Sequence, residues 1–184
     1  MAELSKELPS GVIEQTKIQT LDSAILDVVA KVSASEPSIY QAEICSRRSE
    51  SYLSYSLQPN AFATLENSIA LGSVAVKYVQ KDDPNRGIVI SMFARTLRRR
   101  WQLRKDEDDY LDQAIYYFQK TIELEPVDTP NRPLHFDDLG CSHRDRYLRR
   151  RKPEDFDAAK LAFESAASIP HSGEPMFLSN LGNC

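Results

Sequence analysis

The stretch LDQAIYYFQKTIELEP, Leu111–Pro126, decides how the rest of the chain reads. Leu111, Ala114, Ile115, Phe118 and Ile122 fall at i, i+3, i+4, i+7 and i+11, which is one stripe of a 3.6-residue helix. Working outward, the opening LDQAI returns three more times, as LDSAI from Leu21, LENSI from Leu65 and FDAAK from Phe156, at successive offsets of 44, 46 and 45 residues. Each copy sets a bulky apolar residue, an acid and, at the fourth place, a small residue: Ala24, Ser68, Ala114 and Ala159. A fixed period of this length is the sequence signature of a repeat architecture.

A second segment alternates with the first. Ile44-Cys45, Phe93-Ala94, Leu139-Gly140 and Leu181-Gly182 each pair a large residue with a small one, and in the first three an aromatic follows at Tyr52, Trp101 and Tyr147. Ile90, Phe93, Ala94, Leu97 and Trp101 again make one helical stripe, so the spacing predicts a helix over Arg86–Lys105 and an equivalent one over Arg132–Arg151. Asp83-Pro84 and Thr129-Pro130 read as a capping side chain followed by proline at the first helical position. Alternating strand patterns joined by tight hairpin dipeptides are absent, and the whole chain has six glycines. The fold class expected is all-α, built of helical hairpins.

Composition excludes several classes. With 184 residues, 41% apolar and 27% charged, the chain is long enough for one domain of ordinary globular composition. It contains no apolar run long enough for a transmembrane helix, and the charged start MAELSKELPSGVIEQ lacks the apolar core of a signal peptide, so the cytoplasm is the expected location. Cys45, Cys141 and Cys184 are odd in number and widely spaced, which disfavours a disulfide framework or a four-ligand zinc site. His135, His143 and His171 include no helical i, i+4 pair, so no metal and no cofactor are expected. A net charge of −4 gives the whole protein no attraction to nucleic acid or acidic membrane.

The residues at this point resemble a known family. YLDQAIYYFQKTIELEP looks like the second helix of a tetratricopeptide repeat, with Ala114 as the small packing residue, Phe118 as the aromatic, Thr121 at the next small position and Pro126 as the closing proline. FDAAKLAFESAASIP repeats it with Ala159, Phe163, Ala166 and Pro170. The family's first-helix signature is partly present: Leu139-Gly140 and Leu181-Gly182 match, whereas His143 stands where an aromatic is usual, and the period near 45 exceeds the common 34. The longer unit is similar to the extended repeats of fungal multidomain proteins that carry a CHAT (caspase-like) domain or an NTPase module. The resemblance implies an α-α superhelix, or solenoid, of antiparallel hairpins over residues 20–184. It would comprise about three hairpins and a partial unit at 175–184, after a tail or frayed helix at 1–19. Because FLSNLGNC begins a further first helix without its partner, truncation or self-association through that end is also expected.

The segment CSHRDRYLRRR, Cys141–Arg151, carries the residues most suggestive of chemistry. Aligned on Arg86–Lys105, His143 takes the place of Leu97 on the packing stripe and Asp145 takes that of Arg99 on the opposite side. Residues two apart on a helix point about 200° apart, so His143 does not act with Asp145 or Cys141. A kinase catalytic loop would need asparagine where Arg150 stands, together with a glycine-rich phosphate loop and Asp-Phe-Gly, neither of which occurs. Cys45 and Cys141 are candidate nucleophiles by type, but Cys45 occupies the small packing slot also held by Ala94, Gly140 and Gly182 and reads as a buried small hydrophobe.

The arginines remain. Arg95, Arg98 and Arg99 project away from the Trp101 stripe, and Arg144 repeats Arg98 one unit later. One reading is a basic helix end paired with acids such as Asp106, Glu107, Asp108 and Asp109. The other is a stacked strip that holds an acidic peptide, a phosphorylated tail or an RNA backbone, the last weakened by the lack of interleaved aromatics. The function expected is a non-enzymatic scaffold that binds a partner peptide or helix, an acidic one in the basic-strip reading, with Arg95, Arg98, Arg99 and Arg144 as the contact residues. The alternatives are the repeat region of a CHAT-type protease or signalling NTPase, a structural spacer, or a phosphate- or RNA-binding basic face.

Overall fold

A computed structural model of the chain describes residues 61–105 and 107–169. The segments opening at Leu21 and Ile44, the tail at 1–19, the unit at 175–184, Cys45, His171 and Cys184 lie outside the described residues. Within them are five α-helices and no strand: α1 Ala61–Tyr78, α2 Arg86–Arg104, α3 Asp109–Leu124, α4 Arg132–Arg150 and α5 Pro153–Ser168. The all-helical expectation holds, and α2 and α4 occupy the residues that the apolar spacing marks out.

The helix starts correct one expectation. Pro84 and Pro130 are not the first helical residues; the helices begin two residues later, at Arg86 and Arg132. Asp83-Pro84-Asn85-Arg86 instead forms a β-turn in which the Arg86 N–H donates to the Asp83 carbonyl at 3.0 Å, and Arg132 donates to Thr129 at the same distance. Asn85 (φ −91°, ψ 2°) and Asn131 (φ −85°, ψ −7°) have the third-position geometry of a type I turn, where proline favours the second position. The Asp83 carboxylate accepts from the Asn85 N–H at 2.8 Å, inside that turn. The arginine that follows reaches back to carbonyls at or just past the end of the preceding helix. Arg132 Nη1 donates to the carbonyls of Ile122 (2.9 Å) and Glu125 (3.0 Å) at the end of α3, and Arg86 Nη1 donates to that of Lys81 (3.4 Å).

The helix ends also repeat. Lys105 and Arg151 adopt the left-handed conformation (φ 53° and 57°) and return their N–H to Trp101 and Tyr147, each at 2.7 Å. Acids fill the first turns of α3 (Asp109, Asp112) and α5 (Glu154, Asp155), where they complement the positive end of the helix dipole.

Consecutive helices pack against each other. Contacts between opposite ends make each such pair antiparallel: Glu66 meets Arg100 and Ser68 meets Thr96 across α1 and α2, Thr121 meets Gly87 across α2 and α3, and Asp155 meets His143 across α4 and α5. The first helices of the two hairpins also touch, and they run parallel, since Arg95 meets Asp138 and Arg98 meets Asp145.

The apolar core is uneven. Its main cluster draws on α1, on α2 (Val89, Ile90, Phe93, Leu97, Trp101) and on α3 (Tyr110, Leu111, Ile115, Phe118), whereas α4 adds only Leu139 and α5 only Ala162. A separate small cluster of Cys141, Ala159 and Phe163 joins α4 to α5. Gly140, the counterpart of Ala94, allows that contact, because a Cβ there would lie 2.7 Å from the Phe163 ring. Gly140→Ala is therefore expected to destabilise the fold by about 1–3 kcal/mol through overpacking. Urea unfolding of the variant measures this, and a midpoint equal to wild type would contradict it.

Candidate functional site

The buried face of α4 is polar, carrying His135, Asp137, Ser142 and His143. Beside the apolar contacts of Leu139, of Cys141 with Phe163 and of Tyr147 with Phe156, α4 makes a dense set of ionic and hydrogen-bonding contacts. On its α2 side, Arg95 Nε donates to Asp138 Oδ2 at 2.7 Å. Arg98 Nε (2.9 Å) and Gln102 Nε2 (3.3 Å) share Asp145 Oδ2. Toward α3, Arg146 Nη1 donates to Asp112 at 2.8 Å, and Arg150 takes both oxygens of the same carboxylate at 3.0 and 2.9 Å. Toward α5, Arg146 Nε donates to Asp155 at 2.8 Å.

One of these contacts recurs one unit earlier. Arg100, which aligns with Arg146, donates through Nε to Glu66 at 2.6 Å, and Glu66 holds the place in LENSI that Asp112 holds in LDQAI. The acid of the repeat is thus the receptor for an arginine on the next first helix. Arg100 is 2% exposed, also donates to Glu107 at 3.2 Å, and stacks over the Tyr110 ring at 4.8 Å. Breaking its pairing leaves a buried charge without its partner.

The protonation states follow from these contacts. Burial pushes the Asp112 carboxyl up, but hydrogen bonds from Arg150 and Arg146 outweigh it and hold the pKa below the ordinary value. Asp108 is lowered in the same way: desolvation opposes the shift, and hydrogen bonds from Trp101 and Arg150 carry it.

The His143-Arg144-Asp145 tripeptide resolves into three separate contacts. His143 is buried beside Asp155 of α5 at 3.5 Å, Arg144 lies over the Phe163 ring at 5.7 Å, and Asp145 pairs with Arg98 of α2. Asp145, expected on the open side of the helix, is thus half-buried in an ion pair. Burial first, with Asp137 and Asp138 adding to it against Arg98 and Arg144, pushes the Cys141 thiol up to about 11. That keeps the thiol protonated near neutrality.

The arginines singled out by sequence divide into two kinds. Arg95 and Arg98 are neutralised by Asp138 and Asp145 within the fold. Arg99 and Arg144 have no carboxylate partner among the described residues: Arg99 Nε is shielded without an acceptor, and Arg144 Nη2 has only the Cys141 sulfur, at 3.7 Å. The described residues include no group of three or more His, Cys, Asp or Glu that could hold a metal ion. They also include no helix long and apolar enough to cross a membrane. The chain matches no protein-family model, no curated protein and no solved structure.

A second polar pair is enclosed where α3 ends against α4. His135 Nε2 lies 3.2 Å from Glu125 Oε1, and His135 Nδ1 and Glu125 Oε2 are buried without hydrogen-bond partners. Gly87 of α2 makes room for this carboxylate, since a Cβ there would lie 2.5 Å from Glu125 Cγ. Burial, followed by the charges of Arg95 and Arg132, lowers His135 to about 4, and burial likewise lowers His143. Burial raises Glu125, against Arg132.

The ion pairs and the histidines each yield a measurable outcome. Single substitutions Arg98→Ala and Asp145→Ala, together with the double variant, are expected to give a coupling energy of about 0.5–1 kcal/mol, since the pair is only partly shielded. Strict additivity in chemical denaturation would show that the pair contributes nothing. For pH, a histidine whose folded pKa is depressed contributes stability that is present above 6.5 and is lost as pH falls toward about 4. His143 acts in the same direction, while Glu125 opposes it, because its raised pKa lets the native state bind a proton first. Between pH 7 and 5 the His135 contribution amounts to a loss of about 2 kcal/mol. Thermal melts should show His135→Gln flattening that decline and Glu125→Gln steepening it; parallel curves for all three proteins would refute the assignment.

Proposed function

We propose that the chain is a non-enzymatic interaction scaffold, a solenoid of tetratricopeptide-like hairpins that binds a protein partner across its stacked first helices. The observation that supports this reading is the parallel contact of α2 with α4 while each also packs antiparallel on its neighbours. Hairpins stacked in this way present equivalent side chains side by side, and repeat arrays commonly use such a surface for binding.

The α2–α4 side offers a partner a mixed surface. Ile88 of α2 is 42% exposed and Leu148 of α4 54% exposed, and α2 also carries Arg99, which no carboxylate of the described residues neutralises. Arg95 and Arg98 are already engaged, so the attraction for an acidic peptide rests on Arg99 rather than on a continuous basic strip.

The test is capture of binding proteins from a lysate by wild type and by Arg99→Glu, followed by chemical crosslinking to locate the contact. Crosslinks from a captured protein to α2 and α4, lost or reduced about tenfold in the variant while helicity by circular dichroism is unchanged, are the expected result. Equal capture by both proteins, or crosslinks confined to other helices, would overturn the reading.

A further inference from the structure

The turns that lead into α2 and α4 differ in sequence at one residue. Asp82-Asp83-Pro84-Asn85-Arg86 becomes Asp128-Thr129-Pro130-Asn131-Arg132, so a threonine hydroxyl stands where the earlier turn has a carboxylate. The backbone is shared: Arg86 and Arg132 donate to the carbonyls of Asp83 and Thr129 at 3.0 Å, and Asn85 and Asn131 have nearly the same angles. In the first turn the Asp83 carboxylate accepts from the Asn85 N–H at 2.8 Å. In the second, the Thr129 hydroxyl has no hydrogen-bond partner among the described residues. Thr129 is half-exposed, and Val127, Asp128, Pro130 and Asn131 around it are exposed. Thr129-Pro130 is also the one place in the whole sequence where serine or threonine is followed by proline. Proline in that place brings a fixed φ and no N–H for an enzyme to satisfy, which is what proline-directed kinases select.

We infer that Thr129 is a phosphorylation site for a proline-directed protein kinase, and that its phosphate takes the place in the second turn that the Asp83 carboxylate holds in the first. Thr129 Oγ1 attacks the γ-phosphorus of ATP and the new O–P bond forms as the bond to the β–γ bridging oxygen breaks. ADP leaves, and the hydroxyl proton passes to a base of the kinase.

The product carries an anionic group whose oxygens accept from the Asn131 N–H in a charge-assisted hydrogen bond. The acid beside it is no obstacle, because Asp82 stands next to the Asp83 carboxylate just as Asp128 stands next to Thr129. Arg132, three residues after the hydroxyl, is held by the carbonyls of Ile122 and Glu125, so in the folded turn the signal is Thr129-Pro130 itself. Phosphorylation thus adds to the turn between α3 and α4 a bond that the turn between α1 and α2 has permanently.

The experiment incubates the full chain with ATP and a proline-directed kinase and locates phosphate by mass spectrometry, with a synthetic peptide of residues 124–136 as the accessibility control. One phosphoryl group on Thr129 is expected, lost in Thr129→Ala and in Pro130→Ala. Asp83→Thr, which gives the first turn the sequence of the second, is expected to gain a further phosphoryl group at position 83. The phosphorylated chain and Thr129→Asp should both melt about 2 °C above the unmodified protein. Phosphorylation of the peptide but not of the folded chain, or of neither, would overturn the inference, as would Asp83→Thr modified at Thr129 alone. A melting temperature unchanged or lowered by the phosphate would overturn its assigned place in the turn.

Discussion

The architecture of the second hairpin depends on one constraint: much of the buried face of α4 is polar, so its placement must give those groups partners. Of its side chains only Leu139 joins the main core, while His135, Asp137, Ser142 and His143 are buried polar groups. Such a helix is stable only where each buried charge meets its partner. Asp138, Asp145, Arg146 and Arg150 meet groups on α2 and α3. This requirement fixes position as well as attachment. A non-directional apolar face tolerates sliding, whereas Arg146, held between Asp112 and Asp155, sets α4 against α3 and α5 at once.

The acid next to the first apolar residue of the repeat has a partner in both described copies that precede a first helix. On a helix surface, Glu66 or Asp112 would serve as an ordinary solubilising group. In the stack each meets an arginine from the following hairpin, and the pairing is more deeply shielded at Arg100 than at Arg146. Pairs of this type contribute modestly to stability, and their larger effect is on register.

Much of this was legible in the sequence because helix period and repeat period are both carried by apolar residues. The stripe from Leu111 to Ile122 located α3, and alignment of Arg132–Arg151 on Arg86–Lys105 placed His143 on the buried side and away from Asp145. The turn chemistry was misread for a physical reason. A proline after an acid or threonine suits the first turn of a helix and the second position of a β-turn alike, and only the backbone angles of Asn85 and Asn131 decide between them. The basic strip was half legible. Helical spacing gives the direction of Arg95 and Arg98 but not the position of Asp138 and Asp145, which depends on how two hairpins are offset. The alignment of Arg100 with Arg146, and of Glu66 with Asp112, was available in the repeat; the pairing of Glu125 with His135 had no equivalent signal.

The unequal distribution of apolar residues has a mechanical consequence. The cluster drawn mainly from α1, α2 and α3 is a cohesive block that takes only Leu139 from α4 and Ala162 from α5; these two helices also meet it through oriented polar contacts and are joined to each other by Cys141, Ala159 and Phe163. Apolar cohesion yields gradually under tension, but short-range polar contacts part over a small displacement. The boundary between α3 and α4, rich in such contacts, is therefore where the described helices are expected to part first when pulled.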